Sequence, residues 1–161
     1  MTADEIHRRL KERCGDAVLE LVPERLEAWI GIDPGKIDVV ASFCKEDPQL
    51  GFTSLMCLSG VDDRDHIKVV YHLHSMEKRQ RIVLKVTVPK SAPQTLTVSG
   101  VWRAANWFER ECYDLFGVRF EGHPELRRIL LPDDWEGYPL RKEYVFPTEY
   151  GGVDNTRDYS I

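Results

Sequence analysis

Residues 67–88 constrain this chain most. Ile67 to His74 alternates between apolar and polar side chains, residues 75–79 turn and are mostly polar, and Arg81 to Val88 is a second run rich in β-branched residues. Two such runs around a short polar connection predict a β-hairpin. Pro89 and Pro93 end it. The flanks supply both kinds of partner. Residues 3–13 predict a short amphipathic helix with Ile6 and Leu10 inward, residues 17–22 a strand, and residues 26–32 a second strand. Asp33-Pro34 reads as a helix opening, with Asp as cap and Pro at the first helical position. Ile37, Val40, Ala41 and Cys44 give that helix its apolar stripe, and Asp47-Pro48 closes it. Residues 52–61 read as a largely buried strand. The order of helices and strands predicts an α+β fold, a mixed or antiparallel sheet covered by helices.

Residues 101–116 wind as a further helix. Val101, Ala104, Ala105, Phe108, Cys112, Leu115 and Phe116 share one face; Arg103, Asn106, Arg110 and Asp114 share the opposite one. Ser99 is positioned to cap its start, and Gly117 stands where a left-handed residue ends a helix.

The chain changes character there. Residues 117–161 hold five of the 11 glycines and four of the nine prolines, which excludes long helices and makes a long strand difficult. Yet 12 of the 16 aromatic residues lie at or after Trp102, including Phe120, Trp135, Tyr138, Tyr144, Phe146, Tyr150 and Tyr159. Disordered tails are aromatic-poor. A broken but ring-rich segment is expected to bury its rings against another surface, and aromatics with arginines are the residue types favoured as interface anchors. The expected organisation is an α+β domain over residues 1–116 and an extended partner-docking segment over residues 117–161.

Enzyme chemistry finds little to work with. Cys14, Cys44, Cys57 and Cys112 are scattered with no CxxC spacing, unlike cluster or structural zinc sites. They read as reduced thiols of a cytoplasmic protein. Cys112, on an apolar helix face, reads as a core residue. His72 and His74 project to one side of a strand, behind the acidic turn Asp62, Asp63, Asp65 and His66, and are a usable metal pair. The competing reading is an exposed strand face and a solvated turn, because no separated third ligand follows. Glu109 and Glu111 diverge by roughly 200° around a helix and cannot address one substrate bond together. The net charge of −5 argues against a nucleic-acid partner, and no apolar run is long enough to cross a bilayer.

Glu109-Arg110-Glu111-x-Tyr113-Asp114-x-Phe116-Gly117-Val118-x-Phe120-x-x-His123-Pro124-x-Leu126-Arg127-Arg128-Ile129-Leu130, followed by Gly137-Tyr138-Pro139-Leu140-Arg141-Lys142-Glu143-Tyr144, resembles the signature of the thirty-kilodalton-type subunit, the C subunit, of proton-pumping NADH–quinone oxidoreductase (respiratory complex I). The resemblance is continuous over residues 106–146. Glu143 stands where that family more often has Asp, which keeps the carboxylate. The resemblance implies an α+β domain with an extended C-terminal segment lying across the D subunit of the complex, which lines the quinone site with the B subunit. It implies a non-catalytic scaffold in the peripheral arm, on the cytoplasmic side of the membrane. No cofactor is expected on this chain; flavin, iron–sulfur clusters, NADH and quinone belong to partner subunits. The equivalent subunit of a membrane-bound hydrogenase or of a dehydrogenase with another donor is an alternative, as is a small metal-dependent enzyme using His72 and His74.

Candidate partner-binding residues are Glu109, Arg110, Glu111, Tyr113, Asp114, His123, Pro124, Arg127, Arg128, Trp135, Tyr138, Arg141 and Lys142. Arg127, Arg128, Arg141 and Lys142 offer donors to carboxylates or carbonyls. Glu109, Glu111 and Asp114 are available to pair with them inside the chain, which would preorganise the segment rather than contact the partner. His123-Pro124 biases the backbone extended just before the arginines.

Overall fold

The computed structural model of the chain describes residues 1–23 and 27–155. Helix α1 (Ala3–Cys14) starts with a capping box: the Thr2 hydroxyl accepts from the Glu5 N–H, and the Glu5 carboxylate accepts from the Thr2 N–H. It buries Ile6 and Leu10. Strands β1 (Val18–Val22) and β2 (Trp29–Ile32) follow, then α2 (Ile37–Glu46), β3 (Ser54–Asp63), β4 (His66–Ser75), β5 (Gln80–Pro89) and the short β6 (Gln94–Leu96). Helix α3 (Arg103–Phe116) leads into β7 (Arg119–Glu121), and a two-stranded ribbon, β8 (Glu149–Tyr150) and β9 (Val153–Asp154), closes the described chain.

Five strands form one mixed sheet in the order β1-β2-β5-β4-β3. The expected hairpin is its centre: β4 and β5 pair antiparallel from His66 opposite Pro89 to Ser75 opposite Gln80. β5 then runs parallel to β2, with Ile30 beside Leu84 and Ile32 beside Val86. Alternation decides the faces. Ile67, Val69, Tyr71 and Leu73 of β4, with Ile82, Leu84, Val86 and Val88 of β5, share a core with Ile6, Leu10, Ile37, Val40, Ala41, Cys44, Ala105 and Cys112 of the three helices. His72 and His74 therefore lie on the other face of the sheet.

Several local expectations shift. Helix α2 begins at Ile37 with Lys36 at its cap, rather than at Pro34. The Asp33 carboxylate is held in a tight turn by the Gly35 N–H at 2.7 Å. The Pro34 carbonyl meanwhile accepts from Thr95 Oγ1 at 2.9 Å and from the Leu96 N–H at 3.2 Å, so a tertiary contact holds the proline off the helix. The second strand occupies only the end of residues 26–32, and Leu26 lies outside the described residues, as does Tyr159. Ser99 does not cap α3. A turn in which Val101 and Trp102 both donate to the Val98 carbonyl intervenes, and Trp102 takes the cap position with its ring buried and Nε1 donating to the Phe52 carbonyl at 3.0 Å.

Past α3, Val118 and Phe120 still belong to the core, and β7 pairs in parallel with β6, Phe120 opposite Thr95. From Gly122 to Thr148 the chain runs without helix or strand.

Candidate partner-docking site

The last turn of any helix leaves carbonyls without intrahelical donors. In α3 the chain's own C-terminal segment satisfies them one by one. The Gly117 N–H donates to the Tyr113 carbonyl at 2.8 Å, Arg128 Nη1 to Asp114 at 3.1 Å, the Leu140 N–H to Leu115 at 3.2 Å and Arg141 Nε to Phe116 at 2.8 Å. Two guanidinium groups thus sit at the negative end of the helix dipole. Gly117 adopts φ +75 to turn the chain, and a methyl group built there would overlap the Tyr138 ring. Arg128 and Arg141 lie 5.6 and 4.8 Å from the centre of that ring.

Asp114 is the centre of this clasp. Its side chain is fully buried and pairs with Arg128 Nη1 through Oδ1 at 2.8 Å. Its Oδ2 accepts three consecutive backbone N–H groups, from Ile129 at 2.9 Å, Leu130 at 2.7 Å and Leu131 at 3.0 Å. Burial pushes the carboxyl up, but the guanidinium and the three amides outweigh it and hold it below the usual carboxylate range. Arg128 Nη2 extends the clasp to the carbonyls of Trp135 at 3.0 Å and Gly137 at 3.1 Å.

A second tie lies on the sheet. Asp62 Oδ2 accepts the Lys142 N–H at 2.7 Å, and Lys90 Nζ bridges Asp62 at 2.6 Å and Glu143 at 2.8 Å. Lys90 escaped the sequence reading, and Asp62 entered it only as part of the acidic turn, read as solvated or as flanking a metal pair, not as a tie to the segment. Asp63 is likewise paired with Lys68, and among the described residues no group of three His, Cys, Asp or Glu side chains converges on a metal-sized space.

The candidate residues therefore separate into two sets. Glu109, Arg110, Asp114 and the His123 side chain face inward. Residues 125–131 form a second surface over that side of α3, where Asp114 makes with Arg128 the internal pairing the sequence left open to it, and Arg110 is buried beside it. Arg110 Nε donates to the Arg127 carbonyl at 3.3 Å, and its guanidinium lies 4.8 Å from the Trp107 ring centre. Glu109 accepts from Thr97 Oγ1 at 2.5 Å and the Val98 N–H at 2.7 Å. Burial raises its pKa to about 7 against the pull of those two donors. His123 Nε2 donates to the Asn106 carbonyl at 3.1 Å while its Nδ1 accepts the Glu125 N–H at 3.0 Å, and burial lowers its pKa. Ala104, placed by the helical period on the apolar face, is exposed.

The outward set comprises Glu111, Pro124, Arg127 and Lys142, with Tyr113, Arg128, Trp135, Tyr138 and Arg141 half-buried. Arg127 pairs with Glu125 at 2.8 Å on the surface. The rings of the segment pack largely on one another: Trp135 with Tyr150 and Tyr144 with Phe146, each pair 5.0 Å apart, and Tyr138 with Tyr113 at 6.4 Å. Beside them Leu130, Leu140, Val145 and Phe146 are exposed, Val145 by 85% and Phe146 by 57%, and Trp107 of α3 is 61% exposed.

The class of protein is thus an α+β domain whose helix end is clasped by its own C-terminal segment, with apolar side chains turned outward. Residues 30–150 match the family model described as the respiratory-chain NADH dehydrogenase 30 kDa subunit. The chain belongs to that family. It is 40% identical over 158 residues to the C subunit of the NADH-quinone oxidoreductase of Chloroherpeton thalassium, covering 91% of this chain and 62% of that one. It is 44% identical over 144 residues to the C subunit of the same enzyme from Roseiflexus sp. strain RS-1, covering 88% and 83%. Thus the chain spans less than two thirds of the first relative's length. Among solved structures it superposes on the trypsin-resistant fragment of Nqo5 with TM-score 0.64 and 30% identity, over 75% of this chain and 98% of that one. It also superposes on a chain of the membrane-bound sulfane sulfur reductase, an archaeal respiratory membrane complex, with TM-score 0.71 and 26% identity, over 88% and 85%. No helix among the described residues is long and apolar enough to cross a membrane.

Proposed function

We propose that this chain is a non-catalytic scaffold subunit of the peripheral arm of NADH–quinone oxidoreductase. It docks through its C-terminal segment on the quinone-site partners, the D and B subunits, on the cytoplasmic side of the membrane. Flavin, iron–sulfur clusters, NADH and quinone reside on those and other partners, and the chain supports electron transfer by holding them in place.

The observation that carries this reading is the division of labour in residues 125–146. Arg128, Arg141 and the Lys142 N–H are committed inward to α3 and to Asp62, while Leu130, Leu140, Val145 and Phe146 are left facing out. A segment ordered before binding loses less conformational entropy on docking, and outward apolar and aromatic side chains are what an interface core uses. The test is a pull-down of the tagged chain from native membranes. Recovery of the D and B subunits in equal amounts, lost when Leu140 and Phe146 become serine, supports the reading. Recovery unaffected by those changes contradicts it.

The likeness to the sulfane sulfur reductase chain favours a second reading, the equivalent subunit of a related membrane complex with another donor. Co-purification of a flavin subunit that oxidises NADH separates the two.

A further inference from the structure

Beside the clasp the C-terminal segment forms an open cavity of about 460 Å³, lined by Trp135, Tyr144, Tyr150 and the acidic residues Asp134, Glu136 and Glu149. Among the described residues no basic side chain lines it. Three aromatic rings and three carboxylates around one space match a cation: ring faces attract it, and the carboxylates complete its pairing. Anions are repelled. A bare metal ion finds no cage, since no three ligating side chains among the described residues converge, and Asp134 already accepts the Tyr150 hydroxyl at 2.7 Å. The indole Nε1–H of Trp135 is buried without an acceptor, a need that a polypeptide carbonyl would meet. Val145, 85% exposed, lies on the same wall, so the cavity opens onto the apolar strip of the docking segment.

We propose that this cavity receives an arginine or lysine side chain projecting from the partner subunit on which the segment docks. The inference rests on the docking reading above. It adds the chemistry of one contact: a basic residue laid against the packed Trp135–Tyr150 ring pair, with Glu136 and Glu149 as its counter-charges.

The test compares the assembled complex carrying Glu136→Lys and Glu149→Lys with one carrying Glu136→Gln and Glu149→Gln. Hydrogen exchange over residues 134–150 is followed in the free chain and in the unsubstituted complex. Reversing both charges should lower complex abundance at least about tenfold, and neutralising them should lower it less, because a like charge at a desolvated contact is worse than none. Unchanged abundance with both lysines, alongside exchange that slows on assembly, overturns the cavity's occupant while leaving docking intact. Exchange that does not slow overturns docking and this inference with it.

Discussion

Asp114 and Arg128, fourteen positions apart, meet at 2.8 Å beneath the segment they organise. The aspartate also gathers the N–H groups of Ile129, Leu130 and Leu131, while the arginine reaches the carbonyls of Asp114, Trp135 and Gly137. One pair thus converts the end of a helix into the start of an ordered, irregular strap. Removing either partner of a buried ion pair typically costs about 3–5 kcal/mol, because the other charge is stranded. Arg128→Ala should therefore loosen residues 128–137 in the isolated chain, read as faster hydrogen exchange there, with β4 and β5 unaffected. The Asp114 carboxyl is held below its unfolded value, so its contribution is present above pH ~4 and lost as pH falls through the folded pKa. Equal exchange in wild type and Arg128→Ala would show that the strap does not depend on the pair.

Glu109 predicts a pH dependence of opposite sign. Its pKa is raised to about 7, so its stabilisation is present below pH ~4.5 and lost as pH rises through about 7. The span corresponds to about 3 kcal/mol. Glu109→Gln mimics the protonated acid, keeping an acceptor for the Val98 N–H and an amide for Thr97. The variant should be more stable than wild type at pH 8 and indistinguishable near pH 4.5, as measured by thermal denaturation across that range. His123, whose pKa burial lowers, acts against this below pH ~6.5; its Nε2 lies 3.9 Å from Glu109 Oε2, so the two proteins are compared above that pH for Glu109 alone. A gap that stays constant with pH would refute the assignment.

Gly117 combines φ +75 with the Tyr138 ring packed directly over it. Gly117→Ala should cost about 1–2 kcal/mol from the left-handed backbone alone, and more because the added methyl displaces Tyr138. Chemical denaturation gives the cost. Limited proteolysis should cut near residue 138 faster than in wild type, and unchanged proteolysis would mean that the ring does not hold the strap.

How far all this could be read from sequence depended on whether one surface or two governed a residue. The β4–β5 hairpin was legible because Ile67, Val69, Tyr71 and Leu73 answer to a single core, and the same holds for Ile37, Val40, Ala41 and Cys44 of α2. Gly117 was legible from its place just past an apolar-periodic run. Arg110 was not, because nothing local says that residues 125–131 fold back over it. For Asp114 the pairing with an arginine of the segment was legible, and Arg128 is that arginine, while its three backbone donors from Ile129, Leu130 and Leu131 were not. Pro34 failed for a similar reason, since its carbonyl is taken by Thr95 and Leu96, about sixty positions away. Asp62 read as part of a solvated turn or the flank of a metal pair because its true partners, Lys90 and Lys142, are remote in sequence.

Exposed apolar residues should matter only in the assembly. Val145→Ser leaves the stability of the isolated chain within about 0.5 kcal/mol, as expected for a surface site, while weakening co-purification with the D subunit. A Val145→Ser chain that melts early when isolated would instead make this residue part of the fold.

The central claim is that this chain holds partners and performs no chemistry. The most direct measurement is quinone reductase turnover per assembled complex, alongside complex abundance in membranes, for chains carrying Leu140→Ser with Phe146→Ser. The account predicts a large fall in abundance with turnover per surviving complex unchanged. Full abundance with a large fall in turnover would place this surface in the quinone or proton chemistry and contradict the account.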